Sequence, residues 1–166
     1  MTKLVPVRVR GLILDERTKS PIVILQEEDG SRVLPIWIGE AEARAINMVL
    51  AGETLERPMT HDLFHLVIKG LGARLVEVTI NALKDHTFFA ELHIERGGEQ
   101  ILIDSRPSDS IALALRCEAG ILVDEKVLES SAQPGVSGSP SREEKAARLR
   151  KLLDEMNPGD FGDLNL

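Results

Sequence analysis

The sequence predicts an α+β fold, with antiparallel strand meanders, three packed helices and a linker-tethered C-terminal helix. β-rich runs occur in two groups whose members are joined by hairpin-length turns, and helix-spaced apolar residues lie between and after these groups. A doubly wound parallel sheet would need a helix between successive strands instead. At 166 residues the chain is about one domain long.

The first meander is expected over residues 4–14, 21–25 and 32–38. Between its last two strands stands the dipeptide Asp29-Gly30, a strong hairpin signal because both residues tolerate the positive φ of a tight turn. A second meander is predicted over residues 74–80, 86–94 and 100–103, and residues 121–123 are expected to form a short closing strand.

Three helices are expected between and after these strands. The first spans residues 40–51 and ends before Gly52, where a helix C-terminal glycine belongs. Thr60 is the expected N-cap of the second helix, which carries helix-spaced apolar residues. The third helix follows Pro107, with Ser105 as a candidate N-cap, and stops at Gly120.

Composition divides the chain into three parts. Residues 1–128 are expected to form the domain, residues 129–141 a flexible Ser, Gly and Pro linker, and residues 142–166 a charged helix and tail. An apolar stripe on that helix predicts either docking to a protein partner or packing on its own domain; it consists of Ala146, Leu149, Leu152 and Leu153.

Charge and cysteine content exclude several classes of protein. A formal net charge of −7 opposes a strongly basic nucleic-acid-coating protein, although a local basic cleft remains compatible with it. The single cysteine, Cys117, cannot close an intrachain disulfide. No signal peptide or membrane span is visible, so we expect a cytoplasmic protein with no membrane partner.

Three polar segments interrupt the apolar frame, at residues 34–40, 57–63 and 104–112. In this order, and over roughly residues 4–128, they resemble the bifunctional nuclease domain family. The resemblance implies a compact α+β fold that is usually oligomeric, so a homo-oligomer is expected. It also implies hydrolysis of RNA and DNA, and it gives an activity class rather than a mechanism.

The second polar segment contains candidate metal ligands. His61 and His65 lie four residues apart and would share one face of a helix, so both can reach one divalent ion, with Asp62 as a neighbouring acid. The other interpretation is structural, because Asp62 in the first turn also suits the helix dipole and the histidines can be ordinary surface residues.

The third polar segment opens a helix, where backbone N–H groups bind anions. Arg106, Ser105 and Ser108 would add donors to a phosphate, while Asp104 and Asp109 would serve as catalytic acids or hold a metal. The alternative is a helix cap in which Arg106 pairs with Asp109.

Two further features have a functional and a structural interpretation each. Arg57 precedes Pro58 and is therefore extended, which would project its guanidinium into a cleft for a phosphate or simply into water. Glu40 and Glu42, in the first turn of the first helix, are most simply acids favoured by the helix dipole, and the functional alternative is a role as metal ligands.

The leading hypothesis is a nuclease-family domain that hydrolyses phosphodiester bonds of RNA or DNA with a divalent metal of unknown identity. Its candidate catalytic residues are Asp62, Asp104, Asp109 and His61. One alternative is a non-catalytic module that binds an anion or a protein through the same loops. Another is an interaction protein that works through its C-terminal helix.

Overall fold

The computed structural model describes residues 2–135, and over that range it contains one eight-stranded sheet and four helices. The α+β prediction is confirmed. The strands are β1 (Leu4–Leu14), β2 (Pro21–Glu27), β3 (Arg32–Trp37), β4 (Ala73–Lys84), β5 (Thr87–Arg96), β6 (Glu99–Ser105), β7 (Gly120–Asp124) and β8 (Gln133–Pro134). The helices are α1 (Glu40–Leu50), α2 (Thr60–Gly70), α3 (Pro107–Cys117) and α4 (Glu125–Ser131).

The sheet has the strand order β6-β5-β4-β7-β1-β2-β3-β8. Both predicted meanders are present, and β7 lies between them, parallel to β4 and antiparallel to β1. Ile121 of β7 pairs with Val78 on one side and with Val7 on the other. The strand expected at residues 121–123 is confirmed, and its position makes it the joint between the two halves of the sheet.

The core is aliphatic, as the scarcity of aromatic residues requires. Every residue of β2 is buried, and burying a single aliphatic side chain stabilises the fold by about 1.5–3 kcal/mol. Trp37 is buried at the end of β3, and its indole Nε1 donates a hydrogen bond to Asp15 Oδ2 at 3.1 Å. The polar edge of the indole ring is therefore satisfied inside the core.

The helix starts differ by one residue from the expected caps. α2 begins at Thr60 itself, with Met59 as N-cap, and the Met59 backbone N–H donates to Asp62 Oδ2 at 2.9 Å. α3 begins at Pro107 with Arg106 as N-cap, so Ser105 lies one position before the cap. A proline at the first helical position leaves no N–H unpaired, which explains the start at this residue.

Helix α2 is unusual because none of its residues is buried. Its helix-spaced apolar side chains remain about half exposed: Leu63 is 52%, Leu66 50%, Val67 47% and Leu71 58% exposed. The opposite side of the helix packs on α3 and β4, with Ile68 against the core. The apolar stripe of α2 therefore faces away from the sheet.

The packed structure continues past the expected domain boundary at residue 128. Helix α4 buries Val127, Leu128 and Ser131, and β8 pairs with β3 through the register Arg32↔Pro134. The C-terminal helix and tail expected at residues 142–166, and residues 136–141 of the linker, lie outside the described residues. Within residues 2–135, no helix has both the length and the hydropathy needed to cross a membrane.

Candidate active site

Two helix N-termini meet at one cleft. Helix α3 packs against both α1 and α2, and this arrangement brings the first turn of α2 beside the first turn of α3. His61 in α2 and Asp109 in α3 are 48 positions apart in the sequence, and they lie in hydrogen-bond contact. The second and third polar segments of the sequence thus form one site.

The centre of the site is the carboxylate of Asp109, which has a partner on each oxygen. His61 Nε2 lies 2.9 Å from Oδ1, and Arg106 Nε donates to Oδ2 at 2.8 Å. The hydrogen bond from His61 lowers the pKa of Asp109, burial acts against it, and the Arg106 guanidinium lowers it further, so the net shift is downward. Asp109 therefore stays a charged acceptor at neutral pH.

Arg106 bridges two helices. Its Nη2 donates to Glu42 Oε1 in α1 at 2.7 Å, while its Nε binds Asp109 in α3. Its hydrogen bonds to Asp109 and Glu42 raise the pKa of Arg106, which remains a fixed positive charge. The cleft thus holds one arginine between two carboxylates.

A second arginine, in α3, links α2 and α1 next to the site. Arg116, whose side chain is only 6% exposed, donates from Nε to Asp62 Oδ1 at 2.5 Å. Its Nη1 and Nη2 donate to the backbone carbonyl oxygens of Ala112 at 2.8 Å and Ala45 at 3.1 Å. Burial by itself would raise the pKa of Asp62, but hydrogen bonds from Arg116 and the Met59 N–H outweigh it and leave the pKa below its usual value.

The cleft has a volume of about 570 Å³. That is within the usual range for a small-ligand site. Its polar lining comes from Thr60, His61, Asp104, Ser105, Arg106 and Asp109, and its apolar lining from Phe64, Leu92, Ile103 and Leu113. A smaller cavity of about 210 Å³ shares Thr60, His61, Arg106 and Asp109 with the cleft and extends to Glu42 and Arg116.

The structure brings together five of the residues expected from the sequence. These residues line the same cleft: His61, Asp104, Ser105, Arg106 and Asp109.

The other four candidates lie elsewhere. Asp62 is turned to Arg116, and His65 Nδ1 lies 3.1 Å from the Sγ of Cys117. Ser108 is buried and is not among the residues that line either cavity. Arg57 lies in the exposed loop between α1 and α2, and it too is not among those lining residues.

The helical residues named for a divalent metal do not share a metal site. His61, Asp62 and His65 contact three different partners, namely Asp109, Arg116 and Cys117. The alternative pair, Asp104 and Asp109, lines the same cleft. Across residues 2–135, no group of three or more His, Cys, Asp or Glu side chains is arranged to hold a metal ion. We therefore derive no chemical step through a metal.

Sequence reasoning overlooked Arg116 and Phe64, and for Glu42 it considered the helix dipole and a metal but not a contact with Arg106. Arg116 stands in the last turn of α3, where a basic residue is already explained by the helix dipole. Its contacts to α1 and α2 are tertiary, and no local pattern contains them. Phe64 is three residues after His61, and that spacing alone could have placed the two side chains on one side of α2.

The fold and the cleft define an α+β domain whose concave polar site lies at two helix N-termini. Residues 23–135 match the family model described as the bifunctional nuclease domain. The chain belongs to the bifunctional nuclease domain family.

The chain is similar to bacterial and to plant proteins. An uncharacterised protein of Mycobacterium tuberculosis is 39% identical over 164 residues, which cover 93% of this chain and 96% of that protein. Others are plant proteins: bifunctional nuclease 2 of Oryza sativa subsp. japonica is 30% identical over 118 residues, and bifunctional nuclease 2 of Arabidopsis thaliana is 28% identical over 132 residues. These alignments cover 69% and 75% of this chain, but only 36% and 40% of the plant proteins.

Proposed function

We propose that this chain hydrolyses phosphodiester bonds of RNA or DNA in the cleft formed by α2 and α3. The observation that carries the proposal is the contact of His61 and Arg106 with the two oxygens of Asp109. Family membership supports the class of substrate, and the names of the plant relatives agree with it.

Histidine is the proton carrier in this proposal. When Nε2 of His61 bears a proton and donates a hydrogen bond to Asp109, Nδ1 is left as an acceptor. Nδ1 would then take the proton of the attacking oxygen, which is a water or, in RNA, the ribose 2′-hydroxyl, as that oxygen bonds to phosphorus. The imidazolium formed in this way would return a proton to the departing ester oxygen as its P–O bond breaks. Asp109 acts by holding the ring and its tautomer, and its lowered pKa keeps it charged for that role.

Arg106 is the candidate for stabilising negative charge on the phosphate. Guanidinium N–H groups form charge-assisted hydrogen bonds to phosphate oxygens, and charge that develops in the transition state strengthens the contact. Its Nε and Nη2 hold Asp109 and Glu42, so Nη1 is the donor that the proposal assigns to a phosphate oxygen. Asp104 and Ser105 lie at the same cleft and would complete the phosphate environment.

A divalent metal stays a prediction, and so does the cytoplasmic location expected from the sequence. Neither is needed for the proton transfer assigned to His61 or for the phosphate contact assigned to Arg106.

The experiment compares cleavage of fluorogenic single-stranded RNA and DNA by the full-length chain and by variants. We expect His61→Asn and Asp109→Asn each to lower the cleavage rate about 100-fold, the usual size of a general acid–base contribution. His86→Asn is the matched control, because His86 lies in the β4–β5 turn with φ 61°, a conformation that asparagine also adopts. Reactions with added Mg²⁺ or with EDTA test the metal independently.

The second candidate is a non-catalytic module that binds an anion or a protein. Arg106 is paired with Glu42 and Asp109, which leaves the cleft little positive charge for phosphodiester chemistry, and this observation favours the protein-binding form of the module. Cleavage that remains unchanged in both His61→Asn and Asp109→Asn, or that separates from the protein during purification, would favour the binding module over the nuclease.

A further inference from the structure

The residues that line the cleft are of two chemical kinds. The polar lining includes His61, Arg106 and Asp109. The apolar lining, termed the apolar wall, consists of Phe64, Leu92, Ile103 and Leu113. Phosphodiester chemistry requires only the polar lining, so the apolar wall needs a reason of its own.

Phe64 is the most exposed residue of the apolar wall. It is 56% exposed, whereas Phe89 is 38% exposed and both Phe88 and Trp37 are 8% exposed. The chain has only four phenylalanines and one tryptophan, and among the residues that line this cleft Phe64 is the aromatic one. A phenylalanine left half in water at the mouth of a polar cleft is suited to stacking with a flat ligand group.

Its position relative to the reactive groups is fixed by the helix. His61 and Phe64 are three residues apart in α2, so their side chains are neighbours on one side of it. Neighbouring Cβ atoms at this spacing lie about 5–6 Å apart. A phosphate held beside His61 would therefore have its attached nucleoside within reach of the Phe64 ring.

Charge gives a second reason for a stacking contribution. Proteins that bind nucleic acid by charge use clustered Lys and Arg against the phosphates. Here the net charge is −7, and Arg106 is already paired with Glu42 and Asp109. Stacking of a base on an aromatic ring must then supply a larger share of the binding than it does in a basic protein.

We infer that the cleft is selective for single-stranded nucleic acid, with one unstacked base lying against Phe64 while its phosphate lies at Arg106 and His61. This inference rests on the proposed function and deepens it. In a duplex the bases are stacked and paired, so a base reaches such a wall only after it is taken out of the stack. The volume of about 570 Å³ accommodates a ligand of mononucleotide size.

Binding is measured separately from cleavage. The probe is a fluorescein-labelled 12-nucleotide phosphorothioate DNA of mixed sequence, used single-stranded or annealed to its complement, with the full-length protein and anisotropy as the readout. We expect the single strand to bind at least tenfold more tightly than the duplex. Raising salt from 50 to 200 mM should weaken single-strand binding less than tenfold, because few phosphate charges are neutralised.

Two substitutions and a control isolate the ring. Phe64→Leu keeps an apolar side chain and should weaken single-strand binding about tenfold, whereas Phe64→Trp should preserve or strengthen it. Phe89→Leu is the matched control, since Phe89 lies on β5, is partly exposed and is not among the residues that line the cleft. Circular dichroism and sedimentation establish that fold and mass are unchanged.

The outcomes separate this inference from the proposed function. Equal affinity for single strand and duplex, no binding of either, or unchanged binding by folded Phe64→Leu would overturn the inference, even if cleavage is confirmed. Single-strand binding that depends on Phe64, in a protein without any cleavage activity, would support the inference and reject the nuclease. If Phe64→Leu does not fold, the Phe64→Trp variant decides: a loss of binding greater than tenfold contradicts stacking.

Discussion

A single side chain, that of Arg116, connects three helices. Its guanidinium binds a carboxylate of α2, a carbonyl of α1 and a carbonyl of its own helix, while the side chain is almost fully buried. A buried charge is tolerated only when its hydrogen bonds are satisfied, and here all three nitrogens are used. Arg116 therefore sets the relation between the helix starts that carry His61 and Asp109.

Replacing Arg116 with methionine should destabilise the protein by about 2 kcal/mol. The substitution keeps an unbranched apolar stem but leaves the carbonyl of Ala45 and the carboxylate of Asp62 without this donor. Urea unfolding measures the change, with Arg57→Met, at an exposed loop position, as the control that should stay within about 0.5 kcal/mol of the original protein. Equal stability of both variants would mean that Arg116 is not a structural link.

Asp62 gives a pH-dependent prediction. Its pKa is lowered in the folded protein, so its carboxylate contributes stability above the ordinary Asp pKa, and this contribution is lost as pH falls through the lowered value. Asp62→Asn should therefore cost about 1 kcal/mol at pH 7, a modest figure because the side chain is 34% exposed and screened by solvent. The difference should begin to shrink as pH falls below the ordinary Asp pKa of about 3.9 and should disappear once pH is below the lowered pKa of folded Asp62. A difference that grows on acidification would contradict this assignment.

At the scale of elements, the outward stripe of α2 supports the predicted homo-oligomer. Leu63 and Val67 lie on that stripe, and the edge strand β6 exposes two apolar residues outside the cleft as well. Ile101 is 39% and Leu102 53% exposed. Exposed apolar patches and bare strand edges of this kind are commonly covered by a second copy of the chain.

We expect Leu63→Glu combined with Val67→Glu to produce a monomer. Two charges on this stripe would be buried without partners in an interface, whereas in the monomer they face water. Sedimentation at micromolar concentration should report more than 18.3 kDa for the original chain and about that mass for the variant. Leu14→Glu, at a position 63% exposed near the end of β1, is the control that should leave the mass unchanged. A monomeric original chain would contradict the prediction.

The sequence predicted these elements better than it predicted their environment. The starts of α2 and α3 could be placed within one residue because Thr60, Asp62 and Pro107 are local signals of helix N-termini. The apolar stripe on α2 was predicted from the helical spacing of its residues, but that spacing does not show whether the domain itself or another molecule covers the stripe. Helix α4 was missed because it is short and runs into the composition of the linker.

The candidate site was also predictable only in part, because a local sequence pattern does not show how two helices pack against each other. Arg106 and Asp109 are three residues apart, and their pairing followed from sequence. The contact of Asp109 with His61 could not be predicted, because it depends on how α3 packs against α2. The metal site predicted at His61, Asp62 and His65 was based on helical spacing alone. Helical spacing predicted that His61 and His65 share one face of α2, but in the folded domain His61 contacts Asp109 and His65 contacts Cys117.

At the scale of the molecule, the packed unit should extend to at least residue 134 and not end at 128. A chain truncated after Gly135 retains α4 and the pairing of β8 with β3, so we expect its cooperative thermal transition to lie within about 3 °C of the full-length value. Truncation after Leu128 removes the last turn of α4 and all of β8 and should lower the midpoint further. Differential scanning calorimetry of the two truncated chains makes the comparison, and a lost transition in the longer one would show that the tail belongs to the core.

The central position of β7 has a consequence for synthesis. A ribosome makes the chain from its N-terminus, so both meanders emerge before Gly120 to Asp124 appear. Until then, β1 and β4 each lack the neighbour that joins them, and the growing chain carries two unpaired edges in the middle of its future sheet. Such edges pair readily with other chains. A nascent chain that is stalled with residue 119 at the end of the exit tunnel should therefore aggregate or recruit chaperones. When the next few residues leave the tunnel, the two halves can close into one sheet.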